Sequence, residues 1–304
     1  MKKVLLTGSN GLLGQKIIEQ AANWPTISLI ATSKGPNRCT TKAGYCYEEL
    51  DLLKPEQVAD VLNKYQPDVL IHAAAMTQVD QCHQNPEACQ LLNVEATYQL
   101  AQHCDRLGIH MVYLSTDFVF DGLAGPYSED DVPQPVSIYG QSKLQAENIV
   151  RQMQAKWSIV RTILVYGVLA DMSRSNIVLW AKNALENQQA IRVVNNQWRM
   201  PTLAEDLAWA CLQIANKGAD GIFHISGNEM MSIAEMVAKI ADFWQLDKGL
   251  ISEITSESLA QEAKRPVKTG FVLDKAKRVL QYKPHSLADG LKLFDQQMAV
   301  LQSK

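Results

Sequence analysis

The sequence lacks a strong charge bias. Over 304 residues, 29 Lys and Arg stand against 32 Asp and Glu, a net charge of −3. That near-balance gives no electrostatic footprint for nucleic acid or an anionic membrane surface. Long apolar runs are missing as well. No stretch approaches the roughly 18 apolar residues of a membrane-spanning helix. The leading Val4-Leu5-Leu6 stops at Thr7, too early for the apolar core of a secretory signal. None of the six cysteines is spaced Cys-x-x-Cys, and the six histidines lack zinc-ligand spacing. A disulfide framework and a bound metal are therefore not expected. Reduced thiols and a cytoplasmic location are.

What is present is an ordinary globular balance, 47% hydrophobic and 20% charged. Short apolar runs alternate with helical stretches. Lys3–Thr7, Ile27–Thr32, Asp68–His72, His110–Ser115 and Trp157–Thr162 read as strands. Gly11–Ala22, Lys54–Tyr65, Pro86–Leu107 and Ile138–Lys156 read as helices. This rhythm predicts an α/β fold, a Rossmann-like doubly wound parallel sheet with helices on both faces. Ligands in such sheets bind outside the carboxyl ends of the strands. After about Gly167 the rhythm changes. Ser175–Asn187, Leu203–Asn216, Ser232–Leu246, Asp274–Leu280 and Ser286–Leu301 have helical spacing, with short strands near Gly221–Ile225 and Gly249–Ile254. The expected organisation is a nucleotide-binding domain over 1–167 and a smaller α/β substrate lobe over 168–304, with crossings between them.

The first strand runs into Thr7-Gly8-Ser9-Asn10-Gly11-Leu12-Leu13-Gly14. Gly8 suits the turn out of the strand, Gly11 the approach of a pyrophosphate, and Gly14 close packing of the following helix. The helix start adds free N–H groups for phosphates. A glycine turn alone is weak evidence, but its place between first strand and first helix points to dinucleotide binding. The Gly-Lys-Ser/Thr ending of a nucleoside triphosphatase loop is missing. The second strand ends without an acid to hold a ribose 2′-hydroxyl. Ser33, Lys34 and then Arg38 stand there instead, and they suit a 2′-phosphate. NADP(H) is favoured over NAD(H).

Tyr139 and Lys143 are spaced i, i+4 on a predicted helix, so they share a face. A lysine cation favours the phenolate and would lower the tyrosine pKa. Such a tyrosine can protonate a carbonyl oxygen as hydride arrives at the carbon. A surface pair would produce the same spacing. Ser115 and Thr116 place hydroxyls at the end of a central strand, either to hydrogen-bond a substrate carbonyl or to satisfy backbone groups.

Taken together, these residues resemble the extended short-chain dehydrogenase/reductase family. Within it they resemble the dTDP-4-dehydrorhamnose reductase (RmlD-like) branch. The resemblance rests on AAAMTQVD at 73–80, STDFVFDG at 115–122, PYSEDDVPQPVSIYGQSKLQAE at 126–147 and VRTILVYG at 160–167. QWRMPTLAEDLA at 197–208 and KRPVKTGFVLD at 264–274 extend it. It implies a catalytic set of Thr116, Tyr139 and Lys143. It implies cofactor contacts at the glycine loop, at Asp51 and Leu52, at Ala73, Ala74 and Ala75, and at Asn93, with His72 where asparagine is common. It implies a nucleotide-sugar substrate near Thr77, Val79, Asp117, Phe118 and Tyr166. Arg199 and Arg265 would grip the diphosphate, although a surface salt bridge suits either arginine equally. The reaction implied is hydride transfer from NAD(P)H to C4 of a 4-keto-6-deoxy sugar. A homodimer is compatible with the resemblance.

Sugar-nucleotide dehydratases of this superfamily follow the central Thr with Asp-Glu. Here Phe118 stands in the second place and cannot move a proton. An epimerase would use the same Tyr and Lys. A third reading is a regulatory subunit that binds NADP without turnover, since the β subunit of methionine adenosyltransferase resembles the same branch.

Overall fold

The computed structural model describes residues 1–169, 175–259 and 262–302. Numbered along the chain, the first half contains β1 (Lys2–Thr7), α1 (Leu12–Ala21), β2 (Ile27–Ser33), β3 (Tyr45–Glu49), α2 (Pro55–Tyr65), β4 (Val69–His72) and α3 (Val79–Gln84). One near-continuous helical stretch follows: α4 (Pro86–Gln90), a π-helical turn (Leu91–Glu95) and α5 (Ala96–Leu107). Then come β5 (His110–Thr116), α6 (Ile138–Arg151) and β6 (Trp157–Thr162). The second half holds β7 (Val165–Tyr166), α7 (Ile177–Glu186), β8 (Ile191–Val194), β9 (Trp198–Arg199), β10 (Thr202–Leu203), α8 (Ala204–Lys217) and β11 (Gly221–Ile225). It ends with β12 (Met231–Ser232), α9 (Ile233–Phe243), β13 (Ile251–Ile254), α10 (Asp274–Leu280) and α11 (Leu287–Gln302).

Seven strands form one parallel sheet in the order β3-β2-β1-β4-β5-β6-β11. Its central strands are buried on both faces, which is why Val4-Leu5-Leu6 and Val69-Leu70-Ile71 are unbroken apolar runs. The chain first grows the sheet from β1 toward β3, then reverses to β4. That reversal opens a crevice at the carboxyl ends. The register brings those ends level: Thr7 pairs with Thr32 and His72, His72 with Tyr113, and Thr116 with Thr162.

The second lobe has its own core of Val178, Leu185, Val237, Ile240, Leu291 and Phe294. The chain does not stay there. Leu207, Cys211 and Leu212 of α8, Phe223 of β11 and Leu280 of α10 share a core with Val4 and Leu6 of β1. The buried Lys16 ammonium bonds Gln297 of α11 and pairs with Glu205 of α8, tying α1 to both. No helix among the described residues is long and apolar enough to cross a membrane.

Candidate active site

The glycine loop lies at the end of β1, where β1 meets β4. Gly8 has a φ of +76°, and a Cβ there would stand 2.7 Å from the Ala74 nitrogen. A Cβ on Gly14 would stand 2.4 Å from the Gly8 carbonyl oxygen. These two glycines are required by the fold itself. Gly11 differs: its Cβ would meet only the Gly8 oxygen, at 3.3 Å. Among the described residues no other contact beyond its chain neighbours lies within 4 Å of that Cβ, which stands at the start of α1, and no side chain caps that helix start. The space and the free N–H groups fit a dinucleotide pyrophosphate. Asn10 braces the neighbouring loop: its Nδ2 donates to the Pro36 carbonyl (3.0 Å) and its Oδ1 accepts from the Arg38 N–H (2.9 Å). Lys34 pairs with Asp51 at 2.9 Å, which holds the Asp51 carboxyl below the usual range. Ser33 precedes this pair at the end of β2, and Leu52 is buried behind Asp51. The residues expected at the adenosine end therefore occupy one rim.

The middle of the crevice is formed by β5, α6 and the loop after β4. Ala73, Ala74 and Ala75 leave β4 beside the glycine loop. Asn93 sits in the π-helical turn and bonds both backbone groups of Met76, accepting from its N–H (2.8 Å) and donating to its carbonyl (3.0 Å). It also donates to Ser142 Oγ at 3.1 Å, beside Lys143. His72 fills the place after Ile71 by bonding Thr7 (2.7 Å) and Thr97 (3.1 Å). Burial depresses its pKa to about 3, so it is a neutral bridge between β1, β4 and α5.

Thr116, Tyr139 and Lys143 are all buried and converge here. The Thr116 hydroxyl donates to Asp117 Oδ1 (3.1 Å) and accepts from the Phe118 N–H (3.2 Å). Phe118 meets the Tyr139 ring edge-on at 5.7 Å. Met76, Val79 and Ile138 complete the apolar wall. One expectation is corrected. Lys143 does not make the phenol acidic: burial raises the Tyr139 pKa well above its usual value, and Thr116 is what opposes the rise. The reason is orientation. Lys143 Nζ donates to the Leu114 carbonyl at 2.6 Å and lies 4.2 Å above the Tyr113 ring. Burial also brings the Lys143 pKa down to about 7, with Glu147 opposing.

The second lobe reaches the same strand end. Asp117 is buried, bonds Thr269 and lies 3.8 Å from Arg199 Nε. Arg199 is only 4% exposed. Its remaining N–H groups donate to the carbonyls of Pro266 (2.8 Å), Trp198 (2.7 Å) and Val267 (3.3 Å). Arg265 lies nearer the surface, 2.7 Å from Asp80 of α3, whose other oxygen accepts from the Ala263 N–H. Thr77 is exposed just before α3. Tyr166 is in the core of the second lobe, its hydroxyl filling the space beside Gly290 of α11, and it does not join the Thr116–Tyr139 group. A groove of about 770 Å³ over Pro86, Leu91 and Gln141 includes neither Thr116 nor the glycine loop, so the crevice is defined by the strand ends.

Comparison with known proteins identifies the family. The model of the RmlD substrate binding domain family matches residues 1–300. The chain belongs to the RmlD family. It is 33% identical over 272 residues to methionine adenosyltransferase 2 subunit beta of Mus musculus, covering 87% of this chain and 78% of that one. A dTDP-4-dehydrorhamnose reductase of Clostridium acetobutylicum has the same fold, with TM-score 0.84, 28% identity and coverage of 98% and 99%. A dTDP-4-dehydrorhamnose reductase of Bacillus anthracis in complex with NADP gives TM-score 0.83 and 26% identity, covering 97% and 99%.

Within this RmlD-family chain, several site residues escaped the sequence reading. They are Glu147, which accepts from Ser115, Thr269, which bonds Asp117, and Asp80, which holds Arg265. Glu147 had a signal: it lies four residues beyond Lys143, as Lys143 lies four beyond Tyr139. Thr269 and Asp80 had none, since their partners are remote in the chain.

Proposed function

We propose that this chain is an NADPH-dependent reductase of the C4 keto group of a nucleotide-activated 6-deoxy sugar, of the dTDP-4-dehydrorhamnose type. The observation that carries the reading is the burial of Thr116, at the end of its strand, together with Tyr139, whose ring meets Phe118 beside it, and Lys143 one turn further on.

A bound reduced nicotinamide supplies the hydride. Gly8 to Gly14, with Asn10, Leu12 and Leu13, would hold its pyrophosphate. Asp51 and Leu52 would face the adenine, with Ala73 to Ala75 and Asn93 along the middle. Ser33, Lys34 and Arg38 would take a 2′-phosphate, which favours NADP(H) over NAD(H). Burial keeps the Tyr139 phenol protonated at neutral pH, so it is loaded for donation. Tyr139 gives that proton to the carbonyl oxygen while the carbon gains hydride. Thr116 orients the oxygen from the strand side. Lys143 would hold the nicotinamide ribose. Val79 and Phe118 would wall the sugar, with Thr77 and Asp117 at its edge, and Phe118 offers no acid or base for elimination of water. Arg265 would take the diphosphate by exchanging Asp80 for it, and Arg199, over the Phe118 ring, would brace this wall from behind, while Tyr166 stays in the core away from it.

Deuterium tracing tests the reading. With NADPH deuterated at the transferring position, the label should appear at sugar C4. A product without the label at C4 would refute it.

A second reading is favoured by the 33% identity to a protein named as a subunit of methionine adenosyltransferase. In it the chain binds nicotinamide nucleotide and a partner without turnover. Label transfer to a sugar separates the two.

A further inference from the structure

We propose that Glu147 is a positioning residue of this site, a buried carboxylate that locks the end of β5 to α6 and keeps the Lys143 ammonium charged. The inference rests on the reading of Thr116, Tyr139 and Lys143 as the reacting set.

Glu147 lies one turn beyond Lys143 on α6, so the two share a face. It is fully buried. Oε1 accepts from Ser115 Oγ at 2.6 Å and from Arg161 Nε at 2.9 Å. Oε2 accepts from Arg161 at 2.7 Å and from Arg151 at 2.9 Å. Ser115 is the residue before Thr116, and Leu114, which Lys143 bonds, comes just before Ser115. Successive residues of β5 are thus gripped by successive turns of α6. That grip fixes Thr116 against Tyr139. A purely structural ion pair with Arg161 would not need the Ser115 hydroxyl.

The same carboxylate acts on charge. Burial works against the Lys143 ammonium, and Glu147 contributes most toward keeping it. The other groups facing Lys143 are weaker or neutral. They are the Cys82 and Cys89 thiols of α3 and α4, the neutral His72 of β4, and the Tyr113 ring of β5. Around Glu147 itself stand Arg151 of α6 and Arg161 of β6. Behind Arg161, His224 of β11 lies at 3.3 Å, too buried to be charged. Burial pushes the Glu147 carboxyl up, but the Arg161 bonds more than offset this and hold it ionised.

The test uses the full chain with lysines labelled at the ε carbon, followed by NMR against pH, alongside steady-state turnover. In the wild type one lysine should titrate near 7, and Lys143→Met should remove it. In Glu147→Gln that titration should move down by about one to two units. The alkaline limb of kcat should move down with it, with kcat about fivefold to fiftyfold lower at neutral pH and recovering as pH falls. Ser115→Ala leaves the charge in place, so it should lower kcat severalfold without moving either titration. If Glu147→Gln leaves Arg161 unpaired and the chain unfolds, Glu147→Gln combined with Arg161→Met gives the same reading. An unmoved Lys143 titration in the folded variant overturns the electrostatic role, and full kcat in Ser115→Ala overturns the positioning role. The NMR titration needs no substrate, so it decides Glu147 even if no keto sugar turns over.

Discussion

Lys143 Nζ donates to the Leu114 carbonyl at 2.6 Å, while burial, not the lysine, governs the Tyr139 phenol and raises its pKa. The lysine therefore serves the strand and the charge balance of the pocket more than the acidity of the phenol. Its ordinary pKa is about 10.4, and burial lowers it to about 7. Below pH 7 the lysine is charged in both folded and unfolded chains, and the fold carries the full cost of burying it. Between those two values the folded lysine is neutral and the cost declines as pH rises. Two outcomes follow. Turnover should fall as pH rises through about 7. Lys143→Met should abolish turnover yet melt a few degrees higher than the wild type below neutral pH, as measured by calorimetry. A lower melting temperature there would contradict this account.

The glycine loop separates binding from folding. Gly11→Val should leave the melting temperature within a few degrees of wild type. It should weaken NADPH at least a hundredfold in a fluorescence titration, because the side chain fills the cradle the pyrophosphate needs. Gly14→Val drives its Cβ into the Gly8 carbonyl and Ser9, so the folded chain itself should be lost. Equal behaviour of the two variants would sink the assignment.

Much of this fold is written in its apolar runs. Parallel strands buried on both faces, such as Val69-Leu70-Ile71, cannot hide in a sequence. Tyr45–Glu49 could, because an edge strand reading Tyr-Cys-Tyr-Glu-Glu is half exposed and carries no run. The long stretch Pro86–Leu107 reads as one helix, and nothing in its spacing marks the π-helical turn that aims Asn93 at Met76. That Tyr139 and Lys143 share a helix face was legible because helix spacing is local, whereas strand spacing alone left Ser115 and Thr116 open. The burial of Arg199 was not, since a sequence shows a cation but not the Asp117 that faces it from another lobe.

The two arginines should behave oppositely. Arg199→Met leaves Asp117 buried without its cation and should cost about 3–5 kcal/mol of stability in a urea titration. Arg265→Ala breaks a partly exposed pair worth at most about 1 kcal/mol, and should instead raise KM for the sugar nucleotide at least tenfold with the fold intact. A stable Arg199→Met with a raised KM would return the diphosphate role to Arg199.

His72 makes the fold acid-sensitive. Its pKa is near 6.5 unfolded and about 3 folded. The stability it confers is present above the unfolded value and drains away as pH falls, by about 2 kcal/mol between pH 7 and pH 5. His72→Asn should flatten the dependence of unfolding free energy on pH over that interval. An unchanged slope would mean that another group titrates.

The most direct measurement is oxidation of NADPH by the wild-type chain with dTDP-4-dehydro-6-deoxy-L-mannose, followed by absorbance beside NADH, a no-sugar control and Tyr139→Phe. The account predicts sugar-dependent oxidation that is faster with NADPH than with NADH. It predicts a loss of about a hundredfold or more in kcat for Tyr139→Phe, with NADPH affinity unchanged. Tight NADPH binding without sugar-dependent oxidation, or a Tyr139→Phe variant that turns over normally, would contradict it.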